Sequence, residues 1–144
     1  IDETGQKLAS IREDERPAKV LFVILTDGEE NASKRFTHID VKQRIQQQTE
    51  VYKWGFIFLG ANQDAFATGK EMGISANMCL NIDSESSEGV ARTGRILGRV
   101  ACCYREKTPS GAAPVVDLSA IAGEVDAEKN KPNSTAKKKN RKDK

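Results

Sequence analysis

Two uninterrupted apolar runs constrain the fold of this chain more than any other feature of its sequence. They are residues 20–25 (Val-Leu-Phe-Val-Ile-Leu) and residues 54–59 (Trp-Gly-Phe-Ile-Phe-Leu), and neither contains a charged side chain. Each run is too short for a buried helix and is rich in β-branched or aromatic residues. Strands that are covered on both faces of a parallel sheet have this composition. The runs therefore predict two buried, parallel strands.

Helical segments are predicted before, between and after these runs. Thr37 and Asp40 have the spacing of a capping box, which predicts a helix from about Ile39 to Tyr52. The other expected elements are a helix within residues 1–15, a short helix after Asn62, a third strand over residues 77–82 and a long helix ending near Tyr104. Such alternation predicts an α/β fold, a Rossmann-like, doubly wound parallel sheet of three strands and about four helices.

The expected domain organisation divides the chain near residue 105. Residues 1–105 are predicted to form the α/β domain, and residues 106–144 are predicted to be a linker and a basic, disordered tail. Residues 129–144 contain eight Lys or Arg and one acid, a balance of +7. The net charge of +2 therefore leaves −5 for residues 1–128, so the basicity of the chain belongs to its end.

Two further expectations concern location and completeness. No apolar stretch approaches the ~20 residues of a membrane helix, and Cys79, Cys102 and Cys103 are an odd number without C-x-x-C spacing. A cytoplasmic protein with reduced thiols and no membrane partner is expected. Because a three-stranded sheet leaves residues 20–25 as an exposed edge, and because the chain starts with Ile1, we also expect upstream strands that this sequence lacks.

The residues best placed for chemistry follow the two apolar runs. Ligands of open parallel sheets bind outside the carboxyl ends of the strands, where Asp27 follows the first strand and Gly28 allows a sharp turn. A carboxylate at this position suits a hard cation such as Mg²⁺. Asp27 is therefore predicted as a metal ligand, with Thr26 and Glu29 supporting it by hydrogen bonds and Asp64 lining the same cleft.

These two loops also carry a resemblance to a known family. The matching segments are residues 20–31, which include Thr26-Asp27-Gly28-Glu29-Glu30-Asn31, and residues 55–65, which end in Gly60-Ala61-Asn62-Gln63-Asp64-Ala65. They resemble von Willebrand factor type A (vWA) domains, most closely the bacterial and phage members. The resemblance covers residues 1 to about 105, the later half or somewhat more of such a domain.

The resemblance implies a function. In that family three loops form a metal-ion-dependent adhesion site: the first supplies an Asp-x-Ser-x-Ser motif, the second a Thr and the third the Asp that Asp27 matches. The first two loops are absent from this sequence. Mg²⁺ or Mn²⁺ is therefore expected in the intact, N-terminally longer domain and not in this chain alone. The implied activity is non-enzymatic capture of a protein ligand through its Asp or Glu carboxylate.

Other interpretations of the same residues stay open. Asp27 can be a loop acid that caps backbone amides, Asp64 a helix cap, and the Arg92, Arg95 and Arg99 stripe a solvated helix face. The tail can bind nucleic acid by releasing counterions, although it lacks aromatics for base stacking; the contacting residues would be Lys137, Lys138, Lys139, Arg141 and Lys142. An Asp-dependent phosphoryl-transfer enzyme is the least favoured alternative, because no phosphate-binding Gly-rich loop is present.

Overall fold

The computed structural model describes residues 1–28, 36–62, 64–106, 114 and 116–130. Within these ranges the elements are α1 (Asp2–Ser10), β1 (Leu21–Thr26), α2 (His38–Glu50), β2 (Gly55–Gly60), α3 (Ala65–Glu71), β3 (Cys79–Asn81), α4 (Ser87–Arg105) and α5 (Leu118–Lys129), with 3₁₀ turns at Glu13–Glu15 and Ala76–Met78. Both apolar runs are strands, as predicted, and the third strand is present but short.

The three strands form one parallel sheet in the order β1-β2-β3. β1 and β2 pair along their whole length, whereas β3 pairs only with the last three residues of β2. This register sets Thr26, Gly60 and Asn81 side by side at the carboxyl ends of the strands. The loops that follow these three residues therefore leave the sheet at one common edge.

Helices cover both faces of the sheet. On one face α1, α2 and α3 contribute Leu8, Ile45 and Ala65 to a core that includes the β2 side chains Phe56 and Phe58. On the other face α4 and α5 enclose a second core, made of Ile57, Leu59, Leu80, Ile96, Val100, Tyr104, Val116, Leu118, Ala122 and Val125. The molecule is therefore an α/β protein with a Rossmann-like arrangement, whereas the vWA assignment stays a prediction.

The two long strands differ in how they are covered. Every residue of β2 is buried, as its apolar sequence predicts. In β1, however, Val23 is 37% exposed and Leu25 is 64% exposed, so the expectation that this strand is covered on both faces is wrong. The expectation that β1 is an edge strand is confirmed for the described residues, because its hydrogen-bonded neighbour is β2 alone.

Local capping signals place the helix starts. The capping box is confirmed: Thr37 Oγ1 accepts a hydrogen bond from Asp40 N at 3.2 Å, and Asp40 Oδ2 accepts one from Thr37 N at 2.7 Å. The Asp40 carboxylate also accepts a hydrogen bond from the Thr37 hydroxyl, and the amide bond and this hydroxyl bond lower its pKa. The capping box fixes the start of α2 at His38. The side chain of Ile45, on the face of α2 that packs against the sheet, is buried. Tyr52, the predicted end of this helix, lies beyond its last residue and is 60% exposed.

The expected division near residue 105 needs a correction. The segment assigned to a linker and tail contains α5, whose Leu118, Ala122 and Val125 are almost completely buried against the α4 side of the sheet. The folded region therefore extends at least to Lys129, and α5 is a fifth helix where about four were expected. The disorder expected for residues 131–144 falls outside the described part of the chain.

Two smaller expectations concern the membrane and the cysteines. Among the described residues, no helix combines the length and apolarity that crossing a bilayer requires. Cys79, Cys102 and Cys103 are all free thiols, as their odd number predicted. Cys79 lies in the core, where burial raises the pKa of its thiol. The cytoplasmic location stays a prediction.

Candidate functional site

A cleft of about 480 Å³ lies where the strands end and α4 begins. Its lining residues are Leu25, Thr26, Asp27, Ala61, Ile82, Asp83, Ser84, Val90 and Thr93. Two of them, Asp27 and Asp83, are acids that follow the two outer strands of the sheet. The remaining lining is apolar or carries hydroxyl groups. This carboxyl-edge cleft is the position at which parallel α/β sheets bind ligands.

Asp27 is the cleft carboxylate that the sequence predicted. It follows the last residue of β1 and is exposed. Its backbone is held in place because the Thr26 carbonyl accepts a hydrogen bond from Ala61 N at 2.9 Å, and the Thr26 hydroxyl donates to the Gly28 carbonyl at 2.8 Å. The Asp27 carboxylate itself has no hydrogen bond or ion pair with another described residue. It is thus an acid whose backbone is fixed and whose carboxylate is unpaired within the described ranges.

Thr26 has a different role from the expected one. Its hydroxyl closes the turn between Thr26 and Gly28, because it donates to the Gly28 carbonyl. No contact joins this hydroxyl to the Asp27 carboxylate within the described residues. Thr26 therefore orients Asp27 through the backbone. Glu29, the other predicted supporting residue, lies outside the described residues, as do Lys137, Lys138, Lys139, Arg141 and Lys142.

Asp83 is the second acid of the cleft, and the sequence analysis did not predict it as a site residue. One carboxylate oxygen accepts hydrogen bonds from the backbone amides of Glu85 and Ser86 at 2.9 and 3.2 Å, and the other accepts from the Ser86 hydroxyl. The Ser86 hydroxyl bond, followed by the two amide bonds, lowers the pKa of Asp83. Its position after a strand was the signal that it shares an edge with Asp27.

Asp64 does not line this cleft. Its Oδ1 accepts hydrogen bonds from Phe66 N at 3.0 Å and Ala67 N at 3.1 Å, so it is the N-cap of α3. The alternative interpretation of Asp64 as a helix cap is confirmed. A neighbouring contact links the same helix to the sheet, since Ala65 N donates to the Asn81 side chain at 2.9 Å.

The arginine stripe on α4 faces α5. Arg92 makes a paired contact with the Asp126 carboxylate, at 2.7 Å from Nε and 2.8 Å from Nη2. The paired bonds lower the pKa of Asp126 and raise that of Arg92. Arg99 contacts Glu124 at 3.1 Å and also Glu128. The expectation that this stripe faces only water is therefore wrong, because α5 was missing from the predicted fold.

The described residues do not form a complete cation site. No group of three or more His, Cys, Asp or Glu residues within the described ranges is arranged to hold a metal ion. A Mg²⁺ ion needs an octahedron of oxygen ligands, several of which are usually waters. Asp27 fits the part of one such ligand, because it is exposed and has no partner among the described residues, whereas the Asp83 carboxylate already accepts the backbone amides of Glu85 and Ser86.

A second concavity, of about 510 Å³, lies at the opposite end of the sheet beneath α1. Residues that precede the strands, Val20 and Trp54, contribute to its wall, and an ion pair of 3.3 Å joins Asp2 of α1 to Arg44 of α2 across it. Both charged groups are therefore committed to holding α1 in place. The carboxyl-edge cleft is the better candidate for a site, because the charge of Asp27 has no partner in the part of the chain that the structure describes.

The fold and the carboxyl-edge cleft together define the class, a Rossmann-like α/β protein with an acidic site at the ends of its strands. In comparisons with known proteins, no family model, curated protein or solved structure matches the chain.

Proposed function

We propose that this chain belongs to a non-enzymatic binding module of the vWA type, whose ligand surface is the carboxyl-edge cleft. In the intact module, Asp27 contributes one oxygen ligand to Mg²⁺ or Mn²⁺, and the cation captures an Asp or Glu carboxylate of a protein ligand. The observation that carries the proposal is the Asp27 carboxylate, which is held at the end of β1 and has no partner among the described residues.

The geometry around Asp27 supports a binding role. A carboxylate that has no protein partner keeps its lone pairs for a ligand. The turn that holds it is closed by Thr26, and the neighbouring strand end is fixed by the bond from Ala61 N to Thr26 O. The position of the carboxylate therefore requires no rearrangement of the sheet before a ligand arrives.

The cation requires donors beyond those of the described residues. Within the described cleft lining, the Thr93 hydroxyl donates to the Gly89 carbonyl at 3.0 Å, and the Asp83 carboxylate accepts the amides of Glu85 and Ser86 in the turn before α4. Asp27 is left as the one uncommitted carboxylate of that lining. We therefore expect the described part of the chain to hold Mg²⁺ or Mn²⁺ weakly, and tight binding to depend on oxygen ligands contributed from elsewhere in the module.

The proposal is non-enzymatic because the described lining of the cleft lacks a nucleophile paired with a base. His38, which is the one histidine of the sequence, lies in the first turn of α2 and is not part of the cleft. The lining hydroxyl of Thr93 is engaged by a backbone carbonyl. General acid–base chemistry needs a titrating group within hydrogen-bonding reach of the reacting atom, and Asp27 and Asp83 alone do not provide such a pair.

A paramagnetic ion tests the role of Asp27 in the chain as it stands. Mn²⁺ titrated into the isotope-labelled chain is expected to broaden the amide signals of Asp27, Gly28 and Ser84 first. Asp27→Asn is expected to remove this local broadening while the remaining spectrum keeps its dispersion. Because weak binding suffices for paramagnetic broadening, the experiment does not require the complete ligand set.

Asp14→Asn is the matched control for that titration. Asp14 is also exposed and lies in the 3₁₀ turn Glu13–Glu15, outside the cleft. The control variant should behave as the wild-type chain. Broadening that spreads equally over all exposed acids, or that survives Asp27→Asn unchanged, contradicts the proposal.

Nucleic-acid binding is the second candidate function, and the charge of the C-terminal end favours it. Residues 131–144 hold seven Lys or Arg and one Asp, a composition that binds phosphate backbones by counterion release. The two candidates differ in the residues they need. Binding of DNA that survives neutralisation of Lys137, Lys138 and Lys139 would exclude these lysines as its cause.

A further inference from the structure

The carboxyl-edge cleft combines an apolar surface with an acidic rim. Leu25 at the end of β1 is 64% exposed, and Val90 in the first turn of α4 is 57% exposed. Asp27 and Asp83 flank them, and the described lining contains no Lys, Arg or His. A ligand complementary to this surface has cationic groups carried on short apolar stems.

The end of α5 lies near the first turn of α4, the turn that carries the cleft residue Val90. The contacts between the two helices involve the last two turns of α5: Lys129 meets Glu88, and Arg99 meets both Glu124 and Glu128. Lys129 Nζ lies 3.0 Å from Glu88 Oε1. Glu88 is in the first turn of α4, two residues before the cleft residue Val90. Residues two apart on a helix point to nearly opposite sides, so Lys129 lies close to the first turn of α4 but on the side away from Val90.

The chain beyond α5, which we call the basic segment (residues 131–144), is long enough to enter the cleft. An extended chain spans about 3.3 Å per residue, so Lys137 has a reach of about 26 Å from Lys129. Closing a loop of this size has a modest entropic cost that grows only slowly with length. The tether also gives the segment an effective concentration in the millimolar range for short flexible linkers.

The side chains of the basic segment suit the cleft. Seven of its fourteen residues are Lys or Arg, and it contains neither an aromatic residue nor Leu, Ile, Val or Met. Lysine lays its methylene stem along apolar surface and keeps its ammonium group in water or beside a carboxylate. Leu25 and Val90 provide that surface, and Asp27 provides the carboxylate. Exposed ion pairs are individually worth about 0–1 kcal/mol, so this contact is reversible.

We propose that the basic segment docks in the carboxyl-edge cleft of its own chain and places lysine ammonium groups beside Asp27 and Asp83. The inference builds on the proposed function, because a lysine beside Asp27 occupies the position of the cation. The segment thereby acts as a built-in competitor of the cation and of the carboxylate ligand.

Zero-length carbodiimide crosslinking of the full chain tests the contact, because it joins an amine to a carboxylate only when the two groups touch. The reaction is run with a chelator at low ionic strength, and the monomer is analysed by mass spectrometry. Crosslinks from Lys137, Lys138 or Lys139 to Asp27 and Asp83 are expected. Their yield should fall several-fold at about 1 M salt, where the screening length is about 3 Å.

Two variants and one internal control sharpen the result. Replacing Lys137, Lys138 and Lys139 with Gln should remove these crosslinks, and Asp27→Asn should remove those to residue 27 alone. Crosslinks to Glu13 and Asp14, which are also exposed but lie outside the cleft, measure random encounter. Equal yields at the cleft acids and at Glu13 and Asp14 would overturn the proposal.

Mixing labelled and unlabelled chains separates the possible sources of a crosslink. The absence of mixed products supports docking within a chain, whereas a large share of mixed products assigns the segment to a second copy and overturns it. Crosslinks that disappear once nucleic acid is removed from the sample would also overturn the proposal, because a bound nucleic acid would then be what brings the two groups together. The crosslinking does not depend on a metal ion, because a chelator is present throughout. If Asp27 is crosslinked but Mn²⁺ does not broaden its amide signal, the proposed cation site is rejected and the docking of the basic segment is retained.

Discussion

β1 and β2 have almost the same kind of sequence and opposite surroundings. Each has six residues, and they pair in register along their whole length. Leu25 and Leu59 are direct partners in that register, yet Leu25 is 64% exposed and Leu59 is completely buried. The difference therefore arises from what packs on each strand, and not from composition or register.

The coverage of the helices explains the difference. Ile96 and Val100 of α4, together with α5, pack on the Ile57 and Leu59 side of β2. Val23 and Leu25 lie on the same face of the sheet, since they pair with Ile57 and Leu59. The two helices do not extend far enough to cover them. An apolar run thus predicts that a strand forms, whereas burial depends on helices that are distant in sequence.

The largest expected effect is the contrast between Leu59→Ala and Leu25→Ala. Leu59→Ala leaves a cavity in a closed core and is expected to lower the free energy of unfolding by about 2–5 kcal/mol. Leu25→Ala removes a side chain that is mostly in water, so its effect should stay within about 0.5 kcal/mol. Urea denaturation of the two variants and the wild type measures both values.

This pair of variants also tests the exposure of β1 directly. Equal losses at the two positions would mean that Leu25 is covered in solution, by the basic segment or by a second chain. Repeating the Leu25→Ala measurement in the variant with Lys137, Lys138 and Lys139 replaced by Gln separates these cases. A loss that disappears in that background is due to the basic segment.

A smaller effect is expected at the start of β2, where Gly55 meets Tyr104. A Cβ atom on Gly55 would overlap the Tyr104 hydroxyl and lie 2.8 Å from its Cζ. Gly55→Ala should therefore lower the free energy of unfolding by about 1–3 kcal/mol, as overpacking of a core does. The Tyr104 ring is 7% exposed, which leaves it little room to move aside, and burial raises the pKa of its hydroxyl.

Tyr104→Phe provides the control for that clash. The hydroxyl has no hydrogen-bond partner among the described residues, so removing it alone should change stability little. In the Gly55→Ala background the same change should recover part of the loss, which makes the two effects non-additive. If the losses in the free energy of unfolding were strictly additive, the clash with Tyr104 would be contradicted. The destabilisation by Gly55→Ala would then have another cause. β1 offers no equivalent, because Leu21 occupies the position that pairs with Gly55.

Much of the fold was predictable because its signals are local. The apolar runs mark β1 and β2, the capping box of Thr37 and Asp40 marks the start of α2, and alternation predicts a parallel sheet. The order of the strands and the edge position of β1 follow from the same alternation. Each of these features depends on residues close together in the chain.

α5 was missed although its sequence carries a helical pattern. Leu118, Ile121, Ala122 and Val125 follow the spacing of one helix face, and Asp117 caps the helix by accepting bonds at 2.9 and 3.0 Å. The stripe is weak because it includes Ala, and the lysines that follow it suggested a solvated tail. What stabilises α5 is its packing on α4 and the ion pairs with the arginine stripe, and neither is visible in a short window of sequence.

The site was predictable only in part for a similar reason. Asp27 was identified because it directly follows an apolar strand. Asp83 follows a strand of only three residues, so its place beside the same cleft becomes clear once β3 is paired with β2. Asp64 was expected to line the same cleft, but its carboxylate accepts hydrogen bonds from the backbone amides of Phe66 and Ala67 instead. The helix-capping contacts of Asp64 therefore determine where its side chain lies, although the residue follows a strand that ends near the cleft.

The smallest expected effect concerns the ion pair that joins the helices over β2. Bonds from Arg92 lower the pKa of Asp126 below its ordinary value of 3.8. A group whose folded pKa is lowered stabilises the fold above its unfolded pKa and loses that contribution as the pH falls through the folded pKa. Asp126→Asn should therefore reduce stability slightly at pH 7, and the difference from wild type should vanish well below pH 3.8, as urea denaturation at both pH values can show.

Asp14→Asn serves as the control for this last effect, because it removes the same charge. Asp14 pairs with Arg12 inside one short segment, and both side chains are mostly exposed. Its loss should leave α5 in place and stability almost unchanged at either pH. If Asp126→Asn behaved in the same way at pH 7, the Arg92–Asp126 pair would not help to hold α5 on α4. Apolar burial of Leu118 and Val125 would then be what covers β2 and leaves β1 exposed.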